Sequence, residues 1–122
     1  MPILAAAGLL GAGLLACGDA GPVEPLADCL DAAGVTGPAV GIRNFTFIPD
    51  TLRVDPGARV TWVNCEDPAL DAHTTTADGG EWDSGLMSAG ETFERQFDQT
   101  GAFPYHCVPH PSMAAVVIVD QS

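Results

Sequence analysis

Residues 101–120 read GAFPYHCVPHPSMAAVVIVD. Two strand-like runs, AFPYHC (102–107) and MAAVVIVD (113–120), flank a short loop with a proline on each side of its histidine. Cys107, His110 and Met113 follow one another at intervals of three: a thiol, an imidazole and a thioether. Successive side chains of an extended segment point to opposite faces, so Tyr105 and Cys107 share one face and His106 takes the other. Whatever Cys107 binds, His106 points away from it. The cluster therefore draws on the loop beyond the strand, which Pro109 and Pro111 stiffen by fixing their own φ angles.

Upstream the same grammar continues. Strand-like runs occur at VGIRNFTFI (40–48), TLRV (51–54), ARVTWVN (58–64) and ETFERQF (91–97). Turn residues punctuate them at Pro49-Asp50, Asp55-Pro56-Gly57, Asp78-Gly79-Gly80, Ala89-Gly90 and Thr100-Gly101. Sustained helical periodicity is absent from this part of the chain, and ADCLDAAG (27–34) is expected to make one turn at most. Many short strands at this spacing predict an all-β sandwich or barrel. Within ETFERQF, alternation puts Arg95 on the face of Phe93 and Phe97, where a charge must find a partner or reach the sheet edge.

The chain holds three histidines, and after His106 and His110 the remaining one is His73, in DAHTTT past the WVN strand. His73, Cys107, His110 and Met113 together offer two imidazoles, one thiolate and one thioether. Zinc sites favour more thiolates, three imidazoles, or carboxylates with an open position. Copper suits this set in both oxidation states, because sulfur favours Cu(I), imidazole favours Cu(II), and a His2Cys plane with a long axial Met serves either. The harder carboxylates nearby, Asp71 and Asp78, are left out of the ligand set.

Sixteen carboxylates stand against four arginines and no lysine, a net charge of −12. Such a surface repels nucleic acid. It serves solubility, or it steers the protein toward a basic partner. Apolar residues make up 47% of the 122, too many for an acidic disordered chain and enough for one domain.

The first sixteen residues, MPILAAAGLLGAGLLA, are almost wholly apolar but too short and small-sided to span a bilayer comfortably, so they read as an export signal. Leu14-Leu15-Ala16-Cys17 is similar to a bacterial lipobox, whose cysteine is lipidated and becomes the mature N-terminus. A plain secretory signal with a coincidental cysteine is the other reading, and the positive charge expected ahead of the apolar region is missing. The chain thus divides into a signal (1–16), a tether and N-terminal segment (17–37) and a domain (38–122). Export places the cysteines in an oxidising compartment. With Cys17 assigned to lipid and Cys107 to the cluster, elimination leaves Cys29 and Cys65 to pair.

From about residue 38 to 120 the chain resembles the small blue-copper proteins of the plastocyanin/amicyanin family, the cupredoxins. The segments that carry the likeness are NFTFIPDTLRVDPGARVTWVN, AHTTT, WDSGLMSAGETF and GAFPYHCVPHPSM, and the C-x2-H-x2-M spacing is that of amicyanin. The resemblance implies an eight-stranded Greek-key β-sandwich with one copper ion at one end. It implies His73, Cys107 and His110 as equatorial ligands, Met113 as axial ligand, and Asn64 bonded across to the cysteine-bearing loop. It also implies an apolar docking patch around an exposed His110, drawn here from Leu70, Leu86, Met87, Pro109 and Pro111. Two positions depart from amicyanin-like sequences: Ser112 stands where an aromatic residue is common, and Ala115 where Gly is.

The function so implied is one-electron transport between a redox donor and a redox acceptor outside the cytoplasmic membrane. The carrier is expected to be a monomer, bound to the membrane by its lipid alone. A copper-handling protein that stores or delivers the ion without a redox role is the rival reading. The histidine count argues against an enzyme with a second copper centre in this chain, since only His106 is spare, though the protein could be the donor to such an enzyme.

Overall fold

The computed structural model describes residues 23–122. The signal-like region and Cys17 lie outside the described residues. Helix α1 (Val23–Ala32) leads into eight strands: β1 (Ala39–Arg43), β2 (Thr46–Ile48), β3 (Thr51–Val54), β4 (Ala58–Asn64), β5 (Thr76–Ala77), β6 (Thr92–Phe97), β7 (Gly101–His106) and β8 (Ala114–Val119). They form two four-stranded sheets, ordered β2-β1-β4-β6 and β3-β8-β7-β5. The β1–β4 and β3–β8 pairs are parallel and the other pairs antiparallel. Parallel neighbours cannot be joined by a hairpin, so the chain crosses repeatedly between the sheets in Greek-key fashion.

Alternation along β4 explains the layering. Val60 and Trp62 face between the sheets, where Trp62 meets Tyr105 edge-to-face at 5.5 Å and packs beside Trp82 and Phe97. Val63, on the opposite face, is equally buried, because α1 lies there: Leu26 packs on Val63 and Cys65. A Cβ at Gly41 would fall inside the Leu26 side chain, which is why the helix can sit this close to β1. Cys29 of α1 is disulfide-bonded to Cys65, with Cα atoms 5.9 Å apart.

Two sequence expectations are corrected, and the one for Arg95 is met. The run 40–48 is two strands, because Asn44 and Phe45 adopt φ of 53° and 55° and make a two-residue turn that pairs Arg43 with Thr46. Positive φ at both central residues is the type I′ signature, whose twist matches that of the flanking strands. Residues 23–32 form a full helix instead of a tether ending in one turn; Pro25 falls in the first turn, where an N–H has no intrahelical acceptor to lose. Arg95 does share its face with Phe93 and Phe97, but β6 is an edge strand. Its guanidinium lies over the rings of Trp82 (5.1 Å) and Phe97 (4.7 Å), so the charge closes the open side of the sandwich by stacking.

Candidate metal centre

Two loops meet at the end of the sandwich where β4 and β7 finish. The first leaves Asn64 and carries His73, which is fully buried and locked to Met87 by a pair of backbone bonds (His73 N–H to Met87 O, 3.1 Å; Met87 N–H to His73 O, 2.8 Å). The second starts at Cys107, also fully buried, and is clasped by its own backbone: Cys107 N–H donates to Met113 O at 3.1 Å and Met113 N–H to His110 O at 2.9 Å. That clasp is how a seven-residue span brings Cys107, His110 and Met113 to one point.

Cys107 Sγ stands 3.6 Å from His73 Nδ1 and 3.6 Å from His110 Nδ1. All three donor atoms lie within 4.8 Å of one another, and the interior of that triangle can take one ion at roughly 2 Å from each corner, the usual length of first-row metal bonds to nitrogen and sulfur. Met113, 4% exposed, closes the inner side. His106 points outward and pairs with Asp78.

The far nitrogens are engaged differently. His73 Nε2 is 3.0 Å from the buried carboxylate of Glu66, which also accepts the N–H groups of Asn44 (2.8 Å) and Phe45 (2.7 Å). Burial alone would raise the Glu66 carboxyl, but those backbone bonds and His73 outweigh it and hold the group below the usual carboxylate range. A proton on Nε2, donated to Glu66, leaves the Nδ1 lone pair directed at Cys107. His110 is 24% exposed at its side chain, and its Nε2 faces Asp71 Oδ2 at 3.4 Å.

The expected partner of Asn64 is different. Its Nδ2–H donates to Met87 O (2.8 Å) and its Oδ1 accepts the Glu66 N–H (2.9 Å), so it braces the histidine-bearing loop. The cysteine-bearing loop is tied instead by Thr74, whose N–H lies 3.4 Å from Cys107 Sγ and whose hydroxyl accepts the Val108 N–H at 2.9 Å. Met87 is 3% exposed and contributes nothing to the surface; its backbone is committed to His73 and Asn64. Leu70 (42%) and Leu86 (67%) are exposed, with Pro109 and Pro111, while Phe45 (39%) and Val108 (53%) join them unforeseen. Phe45, Leu70, Leu86 and Val108 are the exposed large apolar side chains among the described residues, and all four sit on loops at this end. Glu66, Thr74 and Phe45 were missed from the sequence; the position of Glu66, two residues past the strand-end Asn64, was the available hint.

An eight-stranded two-sheet sandwich with a buried His–Cys–His triangle and a methionine at one end defines a cupredoxin. The chain belongs to the plastocyanin/azurin family of copper-binding proteins, whose family model matches residues 39–120. It is 32% identical over 83 residues to an amicyanin of Paracoccus denitrificans, a match covering 66% of this chain and 63% of that protein. The matched stretch therefore spans less than two thirds of that relative. The crystal structure of amicyanin from Paracoccus versutus superposes with a TM-score of 0.61 at 26% identity, covering 73% of this chain and 88% of that one. A purple cupredoxin from Nitrosopumilus maritimus shares the fold (TM-score 0.61, 24% identity, 68% of this chain and 99% of that chain). Family and donor set agree on the cofactor, one copper ion.

Proposed function

We propose that the protein carries single electrons between redox proteins outside the cytoplasmic membrane, and that His73, Cys107, His110 and Met113 are the residues that would hold its copper. The bound ion supplies the Cu(I)/Cu(II) couple. The observation that carries the reading is the triangle of Cys107 Sγ and two Nδ1 atoms at 3.6 Å, buried on one side and reaching solvent only through the outer edge of His110. A donor set clasped by backbone bonds resists rearrangement when the charge of its ion changes, as fast transfer requires. Relatives called amicyanin support the same reading.

The apolar side chains of Phe45, Leu70, Leu86 and Val108, with Pro109 and Pro111, frame the outer edge of His110 as the docking face for donor and acceptor. With a net charge of −12, the partner's complementary rim is basic, and association with it slows as salt rises. We read the protein as a monomeric carrier, not an enzyme, since a second copper centre needs imidazoles beyond His106. Export, with Cys17 carrying the lipid, completes the proposal and rests on the sequence of residues 1–17.

The test is the visible and paramagnetic-resonance spectrum of the Cu(II)-loaded protein. An intense thiolate-to-copper band, lost in Cys107→Ala and reversibly bleached by reductant, supports the carrier. A colourless protein that binds Cu(I) tightly overturns it in favour of copper storage or delivery.

A further inference from the structure

Glu66 is a carboxylate in the interior, 5% exposed, with no arginine paired to it among the described residues; the nearby Arg43 Nε donates to Cys65 O instead. An interior charge needs hydrogen bonds to persist. Glu66 takes three, and they come from two places the backbone does not otherwise join: His73, and the Asn44–Phe45 turn between β1 and β2. That turn holds a bulky residue, Phe45, at φ 55°, a conformation such side chains avoid. The outcome is a defined placement of its ring. Phe45 meets His73 edge-on at 5.1 Å and His110 edge-on at 5.0 Å, at interplanar angles of 88° and 84°.

We propose that Glu66 is a positioning residue that latches two parts of the site together: it orients His73 toward the metal, and it holds the Asn44–Phe45 turn so that Phe45 covers both histidines against water. This rests on the reading of His73 and His110 as copper ligands. Neither role follows from the other. The His73 bond requires an acceptor at Nε2, whereas the turn requires acceptors for two backbone N–H groups. Oε2 accepts from both His73 and Phe45 while Oε1 accepts from Asn44 alone, so a glutamine, with one acceptor oxygen, cannot keep all three bonds. Phe45→Ala is the separating change, since it removes the ring and leaves the backbone N–H groups and the His73 bond in place.

The experiment uses the copper-loaded full chain and Glu66→Gln, Glu66→Ala, Phe45→Ala and the double Glu66→Ala/Phe45→Ala variant. Copper affinity is read by competition with a chelator of known strength, and cover by the relaxation of water protons in the Cu(II) form. Glu66→Ala is expected to weaken copper binding by about 10–100-fold, as loss of an outer hydrogen bond to a ligating histidine does, while Glu66→Gln, which forfeits at least one of the three bonds, falls between it and the parent protein. Phe45→Ala raises the relaxation and leaves affinity as it was. Glu66→Ala does both, and the double variant raises the relaxation no further than either alanine variant alone. Wild-type affinity in Glu66→Ala overturns the first role; relaxation increments that add fully in the double variant overturn the second. If Glu66→Ala does not fold, Glu66→Gln decides, because it must forfeit at least one of the three bonds: wild-type affinity together with wild-type relaxation overturns the latch. A wild-type protein that binds no copper overturns the reading of the site itself and is seen before any variant is compared.

Discussion

Thr74 is hydrogen-bonded to Val108: its hydroxyl accepts the Val108 N–H at 2.9 Å, one residue past Cys107. The chain neighbour of one histidine thus anchors the loop that carries the other. Thr74→Val keeps the shape and the backbone N–H but removes the acceptor, leaving a half-buried N–H unpaired. The expected cost is about 1–3 kcal/mol in the copper-free protein, read from its urea midpoint. An unchanged midpoint would mean that the backbone clasp of residues 107–113 suffices by itself.

The Cys29–Cys65 bridge closes a span of 36 residues and fastens α1 to the sheet. Replacing both cysteines by alanine should destabilise the protein by about 4 kcal/mol on the chain-entropy account, as a fall in the guanidinium midpoint. Copper binding by the folded protein should persist, because neither cysteine belongs to the His–Cys–His triangle. A loss of copper affinity at low denaturant would tie the bridge to the site more directly than its position suggests.

Tyr105 is 1% exposed, and neither its hydroxyl nor the Trp62 indole N–H beside it makes a hydrogen bond of good geometry among the described residues. Burial pushes the phenol well above its ordinary value. Below about pH 10 both folded and unfolded chains keep the proton; above it the unfolded chain ionises while the folded one does not, so stability falls as pH rises. Tyr105→Phe should therefore be neutral or slightly stabilising at pH 7, and should lose less stability between about pH 10 and 12 than the parent protein. A marked loss at pH 7 would reveal a partner for the hydroxyl.

Arg95 over Trp82 and Phe97 makes a different forecast. Arg95→Met keeps the apolar stem and removes the cation, at a cost of about 1 kcal/mol. In a domain of this size that is a fall of about 4–8 °C in the thermal midpoint. Arg95→Ala should cost more, since the stem that covers the edge goes too. Equal midpoints for the two would assign the whole effect to charge.

The strands were legible because their alternation is long and their turn dipeptides are explicit; ARVTWVN and AAVVIV became β4 and β8 almost unaltered. The grouping of His73 with Cys107 and His110 was legible because three histidines leave few combinations. The Asn44–Phe45 turn was not, since neither residue is glycine and the left-handed geometry is maintained from a distance by Glu66. Glu66 itself was one carboxylate among sixteen, with no local pattern to mark it. Helix α1 was obscured by Pro25 and by a neighbourhood of Gly and Asp; its stability comes from packing on Val63 and Cys65, which short-range propensity does not register. Met87 was placed on the surface beside Leu86 because adjacency in a loop says nothing about which of two residues turns inward.

The covalent seam between α1 and the end of β4 also has a mechanical reading. Tension arriving from the chain that precedes Val23 reaches Cys29 first and divides there. One share runs along residues 30–38 into β1, and the other crosses the sulfur bridge into Cys65. The second route is the stiffer, because it is a single bridge into a strand that is hydrogen-bonded on both sides. A pull on the leading segment is therefore delivered to the end of β4, in the middle of a sheet and beside Asn64 and Glu66, and is not peeled off the sheet's border.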